Sequence, residues 1–111
     1  MPATTGTQLI AAERARQVSV EGWAPEHDDG HASGELLTAA RCYLRPRAER
    51  LDHAVVKETP GVGVGVVAVP DDWPFEPEAW KPERGSDRVR ELVKAGALIA
   101  AEIDRLERSA A

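Results

Sequence analysis

His27, Asp28, Asp29, His31 and Glu35 place two imidazoles and three carboxylates within nine residues of the chain. Imidazole nitrogen favours transition metals and carboxylate oxygen favours magnesium or manganese, so these five residues are candidate ligands for a divalent cation. The same residue types also close turns and cap helices, with His bonding to carboxylates, and that reading stays open beside the first. Neither an H-E-x-x-H helix nor an EF-hand loop is present. Glu102 and Asp104 are the carboxylates able to approach from the last helix; otherwise they are partners for Arg105 and Arg108.

A second set of candidates is aromatic. Trp23, Trp73, Phe75 and Trp80 fall outside the predicted helices, where an indole can stack on a nucleobase while Arg14, Arg16 or Lys81 meets phosphate. Arg14, Gln17, Trp23, Trp73, Trp80 and Lys81 are therefore the ligand-binding candidates. The competing reading is packing, because a thin core needs large apolar anchors. No residue is assigned as catalytic. Ser19, Ser33 and Ser86 lack a nucleophile-elbow context, and Cys42 lies in a predicted helix without a base partner. Gly63-x-Gly65-x-x-Ala68 has dinucleotide-fingerprint spacing, but Val69-Pro70 follows where a helix must begin, so the match is rejected.

These residues must be positioned by few elements. A first helix is predicted from about Thr7 to Val20, capped by Thr5 or Thr7, with Leu9, Ile10, Glu13, Arg14 and Gln17 on successive turns and only a modest apolar stripe. Gly22 and Pro25 stop it, and 26–30 reads as an ordered loop. Leu36, Leu37, Ala40, Tyr43 and Leu44 predict a second helix from near Ser33 to Leu44, ended by Pro46. The β-branched residues around Thr59-Pro60-Gly61 predict a hairpin over 53–69. Pro70 to Pro82, with four prolines and three aromatic residues, predicts an extended segment. A last helix of about 22 residues follows from the three-and-four spacing of Val89, Leu92, Val93, Gly96, Ile99, Ala100, Ile103 and Leu106, after a Ser86 or Asp87 cap. Gly96 with Ala95, Ala97, Ala100 and Ala101 permits close helix approach, so this helix is the expected homo-oligomer surface. The fold class is thus mainly α: one small three-helix domain over 1–111, with a hairpin insertion and a Pro/Trp-rich extended segment.

Composition bounds the function. The 111 residues carry 14 Lys and Arg against 19 Asp and Glu, a formal charge of −5 that opposes non-specific attraction to nucleic acid or anionic membranes. Arg41, Arg45, Arg47 and Arg50 form a local basic run, read as a solvated helix end. One cysteine forms no internal disulfide, no apolar stretch has the length of a membrane span, and the expected location is the cytoplasm.

The ordered segments Glu13-Arg-Ala-Arg-Gln17, Glu21-Gly-Trp-Ala-Pro-Glu-His-Asp-Asp29, Gly34-Glu-Leu36, Ala39-Ala40 with Tyr43, Trp73-Pro74, Trp80-Lys-Pro82, Leu92-Val-Lys-Ala-Gly-Ala-Leu-Ile99 and Ala101-Glu-Ile-Asp-Arg-Leu106 cover more than half the chain. In combination they resemble a family of short uncharacterised proteins of tailed bacteriophages and prophages. The chain departs from that pattern between Leu44 and Asp72 and at Phe75, where relatives often carry Trp. The resemblance implies an accessory role, such as adjusting nucleotide pools or countering a host defence. Two functions are expected from this. One is a non-enzymatic protein that binds a nucleotide-like ligand or a host defence component. The other is a metal-dependent nucleotide pyrophosphohydrolase in the style of the all-helical MazG type, although the E-E-x-x-E run of those enzymes is absent here.

Overall fold

The computed structural model describes residues 4–82 and 88–110. In chain order the elements are α1 (Gly6–Ser19), α2 (Pro25–Asp29), α3 (Glu35–Leu44), a 3-10 turn (Arg47–Glu49), β1 (Asp52–Thr59), β2 (Gly63–Pro70), a second 3-10 turn (Pro77–Ala79) and α4 (Arg88–Ala110). The protein is mainly helical with one antiparallel hairpin. The Ser86 or Asp87 cap expected for the last helix lies outside the described residues.

Thr5 starts α1 through a reciprocal capping box with Gln8, in which each side chain accepts from the other residue's backbone N–H. At the far end Gly22 takes a positive φ of 76°, which lets the Trp23 N–H donate back to the Gln17 carbonyl at 3.0 Å. The chain then does not remain a loop. Pro25 occupies the first turn of the five-residue α2, where its missing N–H costs nothing and its fixed φ is already helical. Residues 26–30, expected as an ordered loop, thus form most of that short helix and its cap.

The 23-residue α4 is the element against which α1, α2 and α3 all pack. Leu36, Ala39, Ala40, Cys42 and Tyr43 of α3 face Ala95, Leu98 and Ala101 of α4 in one core, and Trp23, Val69, Trp73 and Trp80 complete it. Small residues let the backbones of α3 and α4 approach. At Gly96 a Cβ would sit 2.7 Å from Ile10 Cδ1, so the missing side chain makes room for α1. Ala95, Ala97 and Ala101 are buried and Gly96 admits Ile10, so the close helix approach that these residues permit is used within the chain, while Ala100 is half-buried. The outer face of α4 instead presents Val89, Leu92, Ile99, Ile103 and Leu106, all exposed.

In the hairpin, Val56 pairs with Val66, Lys57 with Gly65 and Thr59 with Gly63. Alternation sends Val55, Val67 and Val69 toward the core and leaves Val56, Val64 and Val66 in solvent. The proline-rich segment turns at Asp71-Asp72, where the Trp73 N–H donates to the Pro70 carbonyl at 3.0 Å, and again at Pro77–Ala79, and its Trp73 and Trp80 are buried anchors. No helix among the described residues is long and apolar enough to cross a membrane.

Candidate functional site

The buried face of α1 is polar. Glu13 and Gln17 are its two buried residues, one turn apart. The Glu13 carboxylate accepts from Arg16 at 2.8 Å through both oxygens and also from Arg90 of α4. Arg16 reaches on to Glu21 at 3.1 Å, and Glu21 accepts from Lys81. Burial works against ionisation of both Glu13 and Glu21, but the cations outweigh it: Arg16 and Arg90 hold the first below its ordinary 4.5, and Lys81 and Arg16 the second. This network ties α1 to α4 and to the Trp80-Lys81 segment.

Arg14, on the neighbouring face of α1, donates to the fully buried Asp28 at 2.7 Å and to the Trp23 carbonyl at 3.2 Å. Asp28 also meets His27 Nδ1 at 3.2 Å. Asp29 points the other way and pairs with Arg108 at 2.8 Å. His31 Nδ1 meets Glu35 at 3.0 Å, one helical turn ahead. The five candidate metal ligands are thus engaged in separate pairs, and no group of three or more His, Cys, Asp or Glu able to hold a metal ion occurs among the described residues. Glu102 pairs with Arg105 within α4, and Asp104 lies exposed.

What this arrangement does bring together is rings. His27 lies nearly parallel to Trp23, with centroids 5.8 Å apart and planes 10° from parallel. His27 and His31 are 4.4 Å apart, and Phe75 stands 5.0 Å from His31 and 5.5 Å from Trp23. These four rings, with Pro74, Glu76 and Ala79, line a groove of about 320 Å³. Phe75 is half-buried and joins the groove to the core, since Trp73 lies 5.6 Å away and Trp80 and Tyr43 follow in ring-to-ring contact.

Of the ligand-binding candidates, only Trp23 lines the groove. Trp73 and Trp80 are buried core, the packing alternative. Trp73 spends its indole N–H on the Glu76 carbonyl at 3.0 Å. Arg14 and Lys81 are paired with Asp28 and Glu21. Gln17 is buried; its Nε2 lies 3.5 Å from Glu13, and its Oε1 has no hydrogen-bond partner.

The basic run is not uniformly solvated either. Arg50 leaves solvent to bind Glu91, with both side chains 4% exposed, and its guanidinium lies 5.2 Å over the Trp80 ring. Cys42 is buried and donates to Asp72 at 3.4 Å, and burial pushes its thiol up to about 12, which suits an inert core residue.

Sequence reasoning did not identify Pro74, Glu76 or Ala79 as groove walls, because nothing local in a Pro-rich strand marks which side chains face a helix 45 residues earlier. It did not recognise Glu13 as the centre of a network, although polar Glu13, Arg16 and Gln17 at three-and-four spacing on a helix with little apolar stripe carried that signal. Comparisons with family models, curated proteins and solved structures found no match to this chain.

Proposed function

We propose that this chain is a non-enzymatic accessory protein of the phage and prophage type that binds a planar, nucleobase-like group in the groove walled by Trp23, His27, His31 and Phe75. The observation that carries this reading is the convergence of four rings on one groove of about 320 Å³. That volume lies at the small end of ligand pockets, ~300–1,000 Å³, and suits one flat heterocycle rather than a dinucleotide. Arg14 and Lys81 are already neutralised by Asp28 and Glu21, so the rings supply the affinity. A nucleoside should then bind nearly as well as its monophosphate, with little dependence on salt.

Equilibrium dialysis of purines and pyrimidines, as nucleosides and as monophosphates, tests this. Phe75→Ala is expected to weaken binding about tenfold, since a base–aromatic stack is worth about 1–3 kcal/mol. Absence of binding to every nucleoside and nucleotide would overturn the reading and leave a host protein as the partner to seek. The pyrophosphohydrolase alternative needs several carboxylates around one metal. Here Asp28, Asp29, Glu35 and Glu102 are held separately by Arg14, Arg108, His31 and Arg105, which favours binding without turnover.

The same reading includes self-association through α4. Val89, Leu92, Ile99, Ile103 and Leu106 keep coiled-coil spacing along its exposed face, and pairing with a second copy would bury them. Light scattering is expected to give a mass above that of one chain, falling to the monomer in Ile103→Glu. A monomeric wild-type protein would remove this part of the proposal.

A further inference from the structure

The two imidazoles of the groove share one more property. His27 Nδ1 faces Asp28 and His31 Nδ1 faces Glu35, and a carboxylate only accepts, so each Nδ1 carries a proton. In the neutral ring this leaves the lone pair on Nε2, and neither Nε2 has a hydrogen-bond partner among the described residues. A carboxylate behind Nδ1, with Nε2 left open, is the outer-shell pattern that orients metal-binding histidines and raises their basicity. Both rings line the same groove and are 28% and 29% exposed, so an ion has access to them.

We infer that His27 and His31 together chelate one divalent late transition-metal ion through their Nε2 atoms, with Asp28 and Glu35 as outer-shell carboxylates rather than ligands. The 4.4 Å between ring centroids puts the two imidazoles within reach of one ion, and imidazole nitrogen selects late transition metals such as Cu²⁺ or Ni²⁺ over magnesium or calcium. Two protein nitrogens leave the remaining positions to water or to a small donor ligand. Asp28, committed to Arg14, and Asp29, committed to Arg108, drop out of the ligand set.

Nickel alone is the probe, titrated calorimetrically into the intact chain, so the outcome does not depend on the planar ligand proposed above. One ion per chain is expected. His27→Ala and His31→Ala should each weaken binding at least tenfold, and Glu35→Ala about tenfold through loss of the outer-shell partner. His53, which pairs with Asp71 at the base of the hairpin, is the control, and His53→Ala should leave the affinity unchanged. Circular dichroism establishes that each variant is folded. With Cu²⁺, quenching of Trp23 beside His27 gives a second readout, expected to disappear in Trp23→Phe. No nickel binding, wild-type affinity in folded His27→Ala or His31→Ala, or loss on His53→Ala would each overturn the inference while leaving the planar-ligand reading intact.

Discussion

Replacing Glu13 by Ala is expected to lower the thermal midpoint by roughly 10 °C or more, with loss of the α1 contact to α4. The Glu13 side chain is fully buried and is the acceptor shared by Arg16 and Arg90. Breaking a buried ion pair from one side costs about 3–5 kcal/mol, and the loss here falls at the lower end because Arg16 and Arg90 are 31% and 33% exposed and keep part of their water. In a domain of this size each kcal/mol moves the midpoint by ~4 °C. Arg16 keeps Glu21, which tempers the loss. Glu13→Gln keeps the shape and removes only the charge, so its loss should be smaller.

The same pair of proteins tests a pH dependence. Glu13 and Glu21 both titrate below their ordinary 4.5 in the folded chain. As pH falls, the unfolded chain takes up these protons first. The stabilisation is therefore complete above the ordinary value and is lost as pH drops through the lower, folded values. Thermal midpoints measured from about pH 6 to about pH 3 should fall more steeply for wild type than for Glu13→Gln. Parallel slopes would show that Glu13 does not contribute to the acid limb.

Arg50→Ala is expected to cost about 3 kcal/mol, read as a shift in the denaturation midpoint. Arg50 donates to the carbonyls of Cys42 at 3.1 Å and Tyr43 at 3.3 Å, and so satisfies the end of α3 while pairing with Glu91. Arg88 still contacts Tyr43 O at 2.7 Å and Glu91 at 3.4 Å once Arg50 is removed, but it neither bonds the Cys42 carbonyl nor covers Trp80. Arg50→Lys should recover only part of the loss, because an ammonium cannot reproduce the planar fork. Arg47, exposed and without this set of contacts, should tolerate Ala with little change.

The contrast between Arg50 and Arg47 shows where the sequence is legible. Elements with a local signal were readable: the stripe of α4, the Thr5 cap, and the Thr59-Pro60-Gly61 turn between β-branched runs. Local features with two meanings were not. Pro25 reads as a breaker after α1, yet it is equally the first residue of α2. The Ala and Gly residues of α4 signal a close helix contact but not whether the partner is α1, α3 or a second chain. Burial of Arg50 depends on Glu91, 41 positions later, and that of Glu13 on Arg90, 77 positions later. One sequence holds no record of such pairs. At the site, the cluster of His27 to Glu35 was visible as chemistry, but its division into separate His–carboxylate and Arg–carboxylate pairs is a product of α2 turning where a loop was expected. Phe75 was recognised as an aromatic residue; its place as the far wall of the groove came only with the fold.

The groove can be tested directly by nuclear magnetic resonance, because the chain has three histidines and two of them line it. Adding a nucleoside that binds in dialysis is expected to shift the imidazole C–H signals of His27 and His31 saturably, while His53 on the hairpin stays fixed. Shifts at His53 alone, equal shifts at all three, or none at His27 and His31 would contradict the ligand site placed here.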